Sequence, residues 1–202
     1  MDASGANIQS IEREEIYWRF DIQARCAFID RDNINGLMAA AGFRGELGLL
    51  SIDIDGNDYW VWERITNVQP ALVIAEYNSV FGSQRAVSIP YDPSFQRSTA
   101  HFSNLYWGCL LKALCHLAQG KRYAFVGCNG AGNNAYLVRL DKLGKLRELT
   151  ADEGFVESRF RESRDASGHL TFVGGSRRRQ MMAEMEVVDV ESGEMISVGQ
   201  LV

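Results

Sequence analysis

Two apolar runs that each end in a cluster of acidic and amide side chains constrain this chain most. The first, Leu49-Leu50-Ser51-Ile52, flows into Asp53, Asp55, Asn57 and Asp58. The second, Ala71-Leu72-Val73-Ile74-Ala75, ends in Glu76-Tyr77-Asn78. A short apolar run bounded by polar residues reads as a strand buried on both faces, the kind found in parallel sheets. Open α/β sheets bind ligands just beyond the carboxyl ends of such strands. Two neighbouring strands that finish in polar groups therefore predict a ligand crevice and an enzyme fold.

The surrounding pattern predicts helices over residues 8–20, 32–41, 59–67 and 102–119. It predicts strands over 25–29, 48–53, 71–76, 123–128 and 135–139. Asp32 or Asn33 can cap the second helix and Gly42 can end it. Alternating helices and strands predict an α/β, Rossmann-like, mostly parallel sheet with helices on both faces. The last two strands are separated only by the turn Asn129-Gly130-Ala131-Gly132-Asn133-Asn134, too short for a crossover, so they form a terminal antiparallel hairpin. Residues 79–100 form a long loop, and loops of that length are usually functional or mobile. From Asp141 onward charge rises and glycines punctuate short segments. Residues 185–190 and 194–198, joined by Glu191-Ser192-Gly193, read as a β-hairpin. The expected organisation is an α/β domain over 1–140 and a small β-rich extension over 141–202, packed on the sheet edge or used for self-association.

The chain has 202 residues, 46% hydrophobic and 23% charged, enough to bury a core. Its net charge of -5 argues against a nucleic-acid partner. The one basic cluster, Arg177-Arg178-Arg179, reads as a solvated turn rather than a phosphate contact. Four cysteines without a CxxC pair read as buried free thiols of a cytoplasmic protein. No run of about 18 apolar residues suggests a membrane span, and no basic-then-apolar leader is visible.

Side chains alternate along a strand, so Asp53 and Asp55 can face one side, as can Glu76 and Asn78. If their strands are neighbours, these four oxygens share a small volume, as a hard cation such as Mg²⁺ requires. The competing reading gives Asp55 or Asp58 to a helix cap and Glu76 to backbone N–H groups. A calcium loop of the EF-hand type is excluded, because Gly56 comes too early. His101, beside the long loop, has the pKa of a general base. Tyr77, Tyr91 and Asp92 are candidates to line an acceptor pocket.

The order of parts resembles the class I S-adenosylmethionine-dependent methyltransferase fold. Leu50-Ser51-Ile52-Asp53-Ile54-Asp55-Gly56 resembles the FkbM-type segment in which a strand ends in an acidic-x-acidic-Gly pattern. Val73-Ile74-Ala75-Glu76-Tyr77-Asn78 resembles the next strand of that family. Ile89-Pro90-Tyr91-Asp92-Pro93, Tyr106-Trp107-Gly108 and Val126-Gly127-Cys128-Asn129 resemble a bacterial FkbM-like subgroup. The resemblance covers residues 2–139. It implies S-adenosylmethionine as cofactor, with Asp2 and Asp30 binding it. It also implies Mg²⁺ at the strand ends and O-methylation of a small-molecule or glycan hydroxyl. The family's first strand and Gly-rich turn are not found upstream of Ile8. Either Met1-Asp2-Ala3-Ser4 ends the second strand, with Asp2 at the ribose position, or Asp2-Ala3-Ser4-Gly5-Ala6-Asn7 is a distorted Gly-rich turn. Spacing favours the first. Both readings leave the sheet short of a core strand. They keep open a non-catalytic binding module and a homo-oligomer that completes its sheet with a second copy.

Overall fold

In the computed structural model, which describes residues 1–201, the chain opens with three short helices. These are α1 (Gly5–Ile11), α2 (Glu15–Arg19) and α3 (Ile34–Ala40). The single helix expected over residues 8–20 is broken between Ile11 and Glu15. Neither α1 nor α2 buries a residue, and a helix of one or two turns with nothing to pack against has little to extend it. The strand expected over 25–29 is reduced to an isolated bridge between Asp2 and Cys26. The α3 segment starts and stops where its sequence signals place it, but neither Asp32 nor Asn33 caps it with a side chain; Asp30 holds the turn before it instead. Asp30 Oδ1 accepts the backbone N–H groups of Asp32 and Asn33, both at 2.8 Å, and Gly42, at φ +86°, follows the end of the helix.

Next come β1 (Gly45–Ile52), α4 (Asp58–Arg64) and β2 (Val68–Glu76). After a 3₁₀ turn come β3 (Val87–Ser88), α5 (Arg97–Ala100) and α6 (Leu111–Gly120). The helix expected to begin at Phe102 begins at Leu111. Asn104 and Gly108 adopt φ +60° and +68°, and residues 108–110 bond in extended form to β3 instead. Then follow β4 (Tyr123–Cys128), β5 (Asn134–Arg139), α7 (Ala151–Gly154), α8 (Ser176–Gln180), β6 (Glu186–Asp189) and β7 (Met195–Ser197).

The fold is mixed α/β, with two sheets. The first has the order β1-β2-β5-β4. Its β1–β2 pair is parallel, whereas β2–β5 and β4–β5 are antiparallel. This corrects the expectation of a mostly parallel sheet. The hairpin folds back so that β5, not β4, lies beside β2, and the reversed strand contributes two of the three pairings. By direction, β1, β2 and β4 run the same way. The second sheet, β3-β6-β7, contains the expected tail hairpin and adds β3 from the long loop.

Two cores accompany the sheets. One packs Tyr59, Val61 and Trp62 of α4 and Leu111, Leu114 and Leu117 of α6 with Val73, Ala75, Phe125 and Leu137 of the first sheet. The other joins Phe81, Val87, Ile89, Leu105 and Leu110 to Met182, Val187, Ile196 and Val198. The second core thus draws on both sides of residue 140. Among the described residues no helix is long and apolar enough to cross a membrane.

Candidate functional site

The parallel register pairs Leu50 with Val73 and Ile52 with Ala75. One residue further along each strand brings Asp53 beside Glu76. β1 is an edge strand and β2 a central one, so the two acids sit in different surroundings. Glu76 is 7% exposed, and no N–H or O–H donates to its Oε2. Burial, reinforced by the nearby carboxylates of Asp58, Asp53 and Asp55, pushes its pKa up to about 9. At neutral pH that shift favours the neutral carboxyl form of Glu76. Asp53 is open to solvent on one side and shielded on the other. The shielding and the adjacent Asp55 raise its pKa, while Arg97 and Glu76 act in the opposite sense.

The neighbouring acids have other duties. Asp58 is fully buried and accepts the N–H groups of Ile54 and Gly56, each at 3.0 Å, tying down the loop that follows β1. Burial raises its pKa to about 6 against the pull of those N–H groups. Gly56 permits that loop, because the Phe95 ring occupies the place where a Cβ would project. Asp55, at φ +57°, accepts from Arg97 Nη1 at 2.8 Å. Arg97 also pairs with Glu162, donates to Asn104 O at 3.1 Å and lies 4.6 Å over the Trp107 ring. Asn78 is 1% exposed. Its amide donates to Leu105 O and Trp107 O, and its Oδ1 accepts from Val80 N–H.

Two small clefts meet at this point. The first, about 190 Å³, is lined by Met1, Asp2, Asn7, Phe28, Ile29, Asp53, Asp55, Asn57 and Phe95. Asn57, 4% exposed, leaves its Oδ1 without a donor there. The second, about 170 Å³, is lined by Glu76, Tyr77, Asn78, Ser79, Arg97, Trp107, Asn133, Ser158, Phe160, Glu162 and Arg178. Asp53 lines one cleft and Glu76 the other. Each cleft holds a buried acceptor that the protein leaves unpaired.

Of the sequence-predicted site residues, Asp53, Asp55 and Glu76 come together, with Asp2 facing the first cleft and Tyr77 and Asn78 the second. Asp2 is engaged locally, accepting from Ser4 N–H at 2.6 Å and from the Asn7 amide at 3.0 Å. Tyr77 donates its hydroxyl to Val156 O at 2.7 Å. Asp30 lines neither cleft, because it holds the start of α3. Tyr91 lies under the Arg31 guanidinium and beside Trp60, and Asp92 closes its own turn on Ser94. His101 bonds Ser103 Oγ at 2.7 Å and lines neither cleft, and burial lowers its pKa. Among the described residues no group of three or more His, Cys, Asp and Glu side chains is arranged to hold a metal ion.

Sequence reasoning missed Arg97 and the contribution of the tail. Ser79 donates to Ser158 Oγ at 2.8 Å, and Arg178 donates to Ser158 Oγ and to Glu157, both at 3.0 Å. Arg178, the middle of the triple-arginine run expected to be solvated, is 3% exposed. Residues 158–178 thus wall the second cleft. An arginine run gives no signal that one member is buried, since burial depends on partners about 20 residues or more away. No protein-family model, no curated protein and no solved structure matches the chain.

Proposed function

We propose that this chain is a methyltransferase-like protein of the FkbM type, with a Rossmann-like sheet, that directs S-adenosylmethionine to a hydroxyl of a small molecule or glycan. The observation that carries the reading is that neighbouring strands end in Asp53 and Glu76, one exposed and one buried, each lining a different cleft. The order β1-β2-β5-β4, a parallel pair finishing in an antiparallel hairpin, supports it.

The first cleft suits the cofactor chemically. Asp2 and Asp53 supply acceptors for its cationic and hydroxyl groups, Asn57 Oδ1 lacks a donor, and Ile29 and Phe95 supply apolar walls. At about 190 Å³ it holds part of such a ligand, since sites for drug-sized molecules run to roughly 300–1,000 Å³. S-adenosylmethionine, when bound, supplies the methyl group as an electrophile. The protein supplies alignment and a place for the proton. The acceptor hydroxyl passes its proton to the Asp53 carboxylate, which lines the first cleft beside the end of β2. The acids do not fit Mg²⁺: among the described residues no three of them are arranged to hold a metal ion, burial favours a neutral Glu76, and Asp55 is held by Arg97. Asn78 is committed to the backbone.

That commitment, with Arg97 held on Asp55 and Glu162, favours a second reading, a binding module that retains the clefts without turnover. Calorimetry with S-adenosylmethionine, with and without Mg²⁺, and a labelled-methyl assay on hydroxylated acceptors separate the two. Binding with transfer supports the enzyme, and binding alone supports the module. Absence of both removes the methyltransferase reading.

A further inference from the structure

The N-terminal 52 residues display both halves of an apolar interface. One half is the outer edge of β1. Eight residues long, it carries neither proline nor lysine, and among the described residues no segment hydrogen-bonds to its free side. Edge strands left open to water are ordinarily short or blunted by such residues. A groove of about 510 Å³ runs along this edge, lined chiefly by apolar side chains that include Ile34, Met38, Phe43, Leu47 and Leu50. The other half is α2 and the residue after it. Trp18 is 79% exposed, Phe20 63% and Ile16 49%. Phe20 directly precedes Asp21, which stands on the groove's rim with Gln23 and Arg25. Within one copy, then, the aromatic side chains lie beside the groove and leave it open.

We propose that the chain forms a two-fold dimer in which Trp18 and Phe20 of each copy fill the groove along β1 of the other. Knob and groove lie on one chain, so a two-fold exchange buries both in each copy, whereas a one-way fit would propagate into an open-ended assembly. The rim carries Asp21 and Arg25, one charge of each sign, and sets up no like-charge barrier between identical faces. The exposed parts of Ile16, Trp18, Phe20, Phe43 and Leu49 amount to roughly 570 Å² per copy, taking about 200 Å² for a large side chain. A stable interface needs about 800 Å² per copy, and the edge strand supplies the difference. The same arm gives Met1, Asp2 and Asn7 to the first cleft, so dimerisation also steadies that wall.

Sedimentation velocity of the full chain up to about 100 μM, a range that detects micromolar association, tests this. A dimer is expected. Trp18→Ser with Phe20→Ser, and separately Leu49→Lys, weaken it by about 30-fold or more, as loss of an interface anchor does. Both variants alter exposed positions, and circular dichroism checks that each is folded. A monomer throughout the range, an open-ended assembly, or a dimer that survives both variants overturns the proposal.

Discussion

β1 and β2 are adjacent, run the same way and end in acids one register step apart, yet they live in different environments. In β2, Val73 and Ala75 are 0% and 1% exposed, and the strand is flanked on both sides. In β1, Leu49 is 49% exposed and one side is free. The terminal acids inherit this difference. Glu76 is driven to the neutral form at physiological pH, while Asp53 keeps a face to solvent. Strand position, not residue type, thus sets up a proton donor beside a carboxylate, with a cleft on either hand.

The strongest way to break the contrast is to remove the open acid. Asp53→Asn should lower methyl transfer by about 10²–10⁴-fold, the usual contribution of a general base. It should leave urea stability within about 0.5 kcal/mol, as for surface sites. Next in size is packing. Leu137, fully buried and in register with Val73, should cost about 3 kcal/mol when changed to Ala, whereas Leu49→Ala should cost under about 0.5 kcal/mol. Equal losses in urea denaturation would erase the distinction between the strands.

A pH series sharpens it further. The pKa of Glu76 is raised on folding from 4.5 to about 9. Its contribution to stability is therefore complete below pH 4.5 and is lost as pH climbs to about 9, because the unfolded chain ionises freely while the folded one resists. Glu76→Gln should flatten this slope and raise stability near pH 8. At pH 4 it should change little. The smallest effect belongs to Arg97. Arg97→Ala, read by thermal unfolding, should cost about 1 kcal/mol from its stacking on Trp107 and its ion pairs.

The strands of the first sheet and the tail hairpin were legible because apolar, β-branched runs are bounded by turn residues. The stop of α3 at Gly42 was legible because it acts locally, whereas its start is held by Asp30 rather than by Asp32 or Asn33. What was not legible was decided by distant partners. Residues 102–110 carry a helical pattern, but pairing with β3 wins. β3 is only two residues long and gains its identity from the tail. The residues 8–20 stripe predicted one helix, and without a surface to bury it breaks. At the site, strand-end logic found Asp53 and Glu76, since register alone brings them together. It also nominated Asp30, Tyr91, Asp92 and His101, whose side chains are taken up by local turns, caps and stacking. Arg97, Ser158 and Arg178 were out of reach, because the tail joins the second cleft only through tertiary contacts.

The most direct test is a carbon-detected NMR titration of the side-chain carboxyl groups, with Glu76 assigned by its disappearance in Glu76→Gln. Glu76 should stay protonated through neutral pH and titrate near 9, with Asp53 above the ordinary aspartate value. A Glu76 that ionises near 4.5 would contradict the account, because no buried proton would then stand beside Asp53.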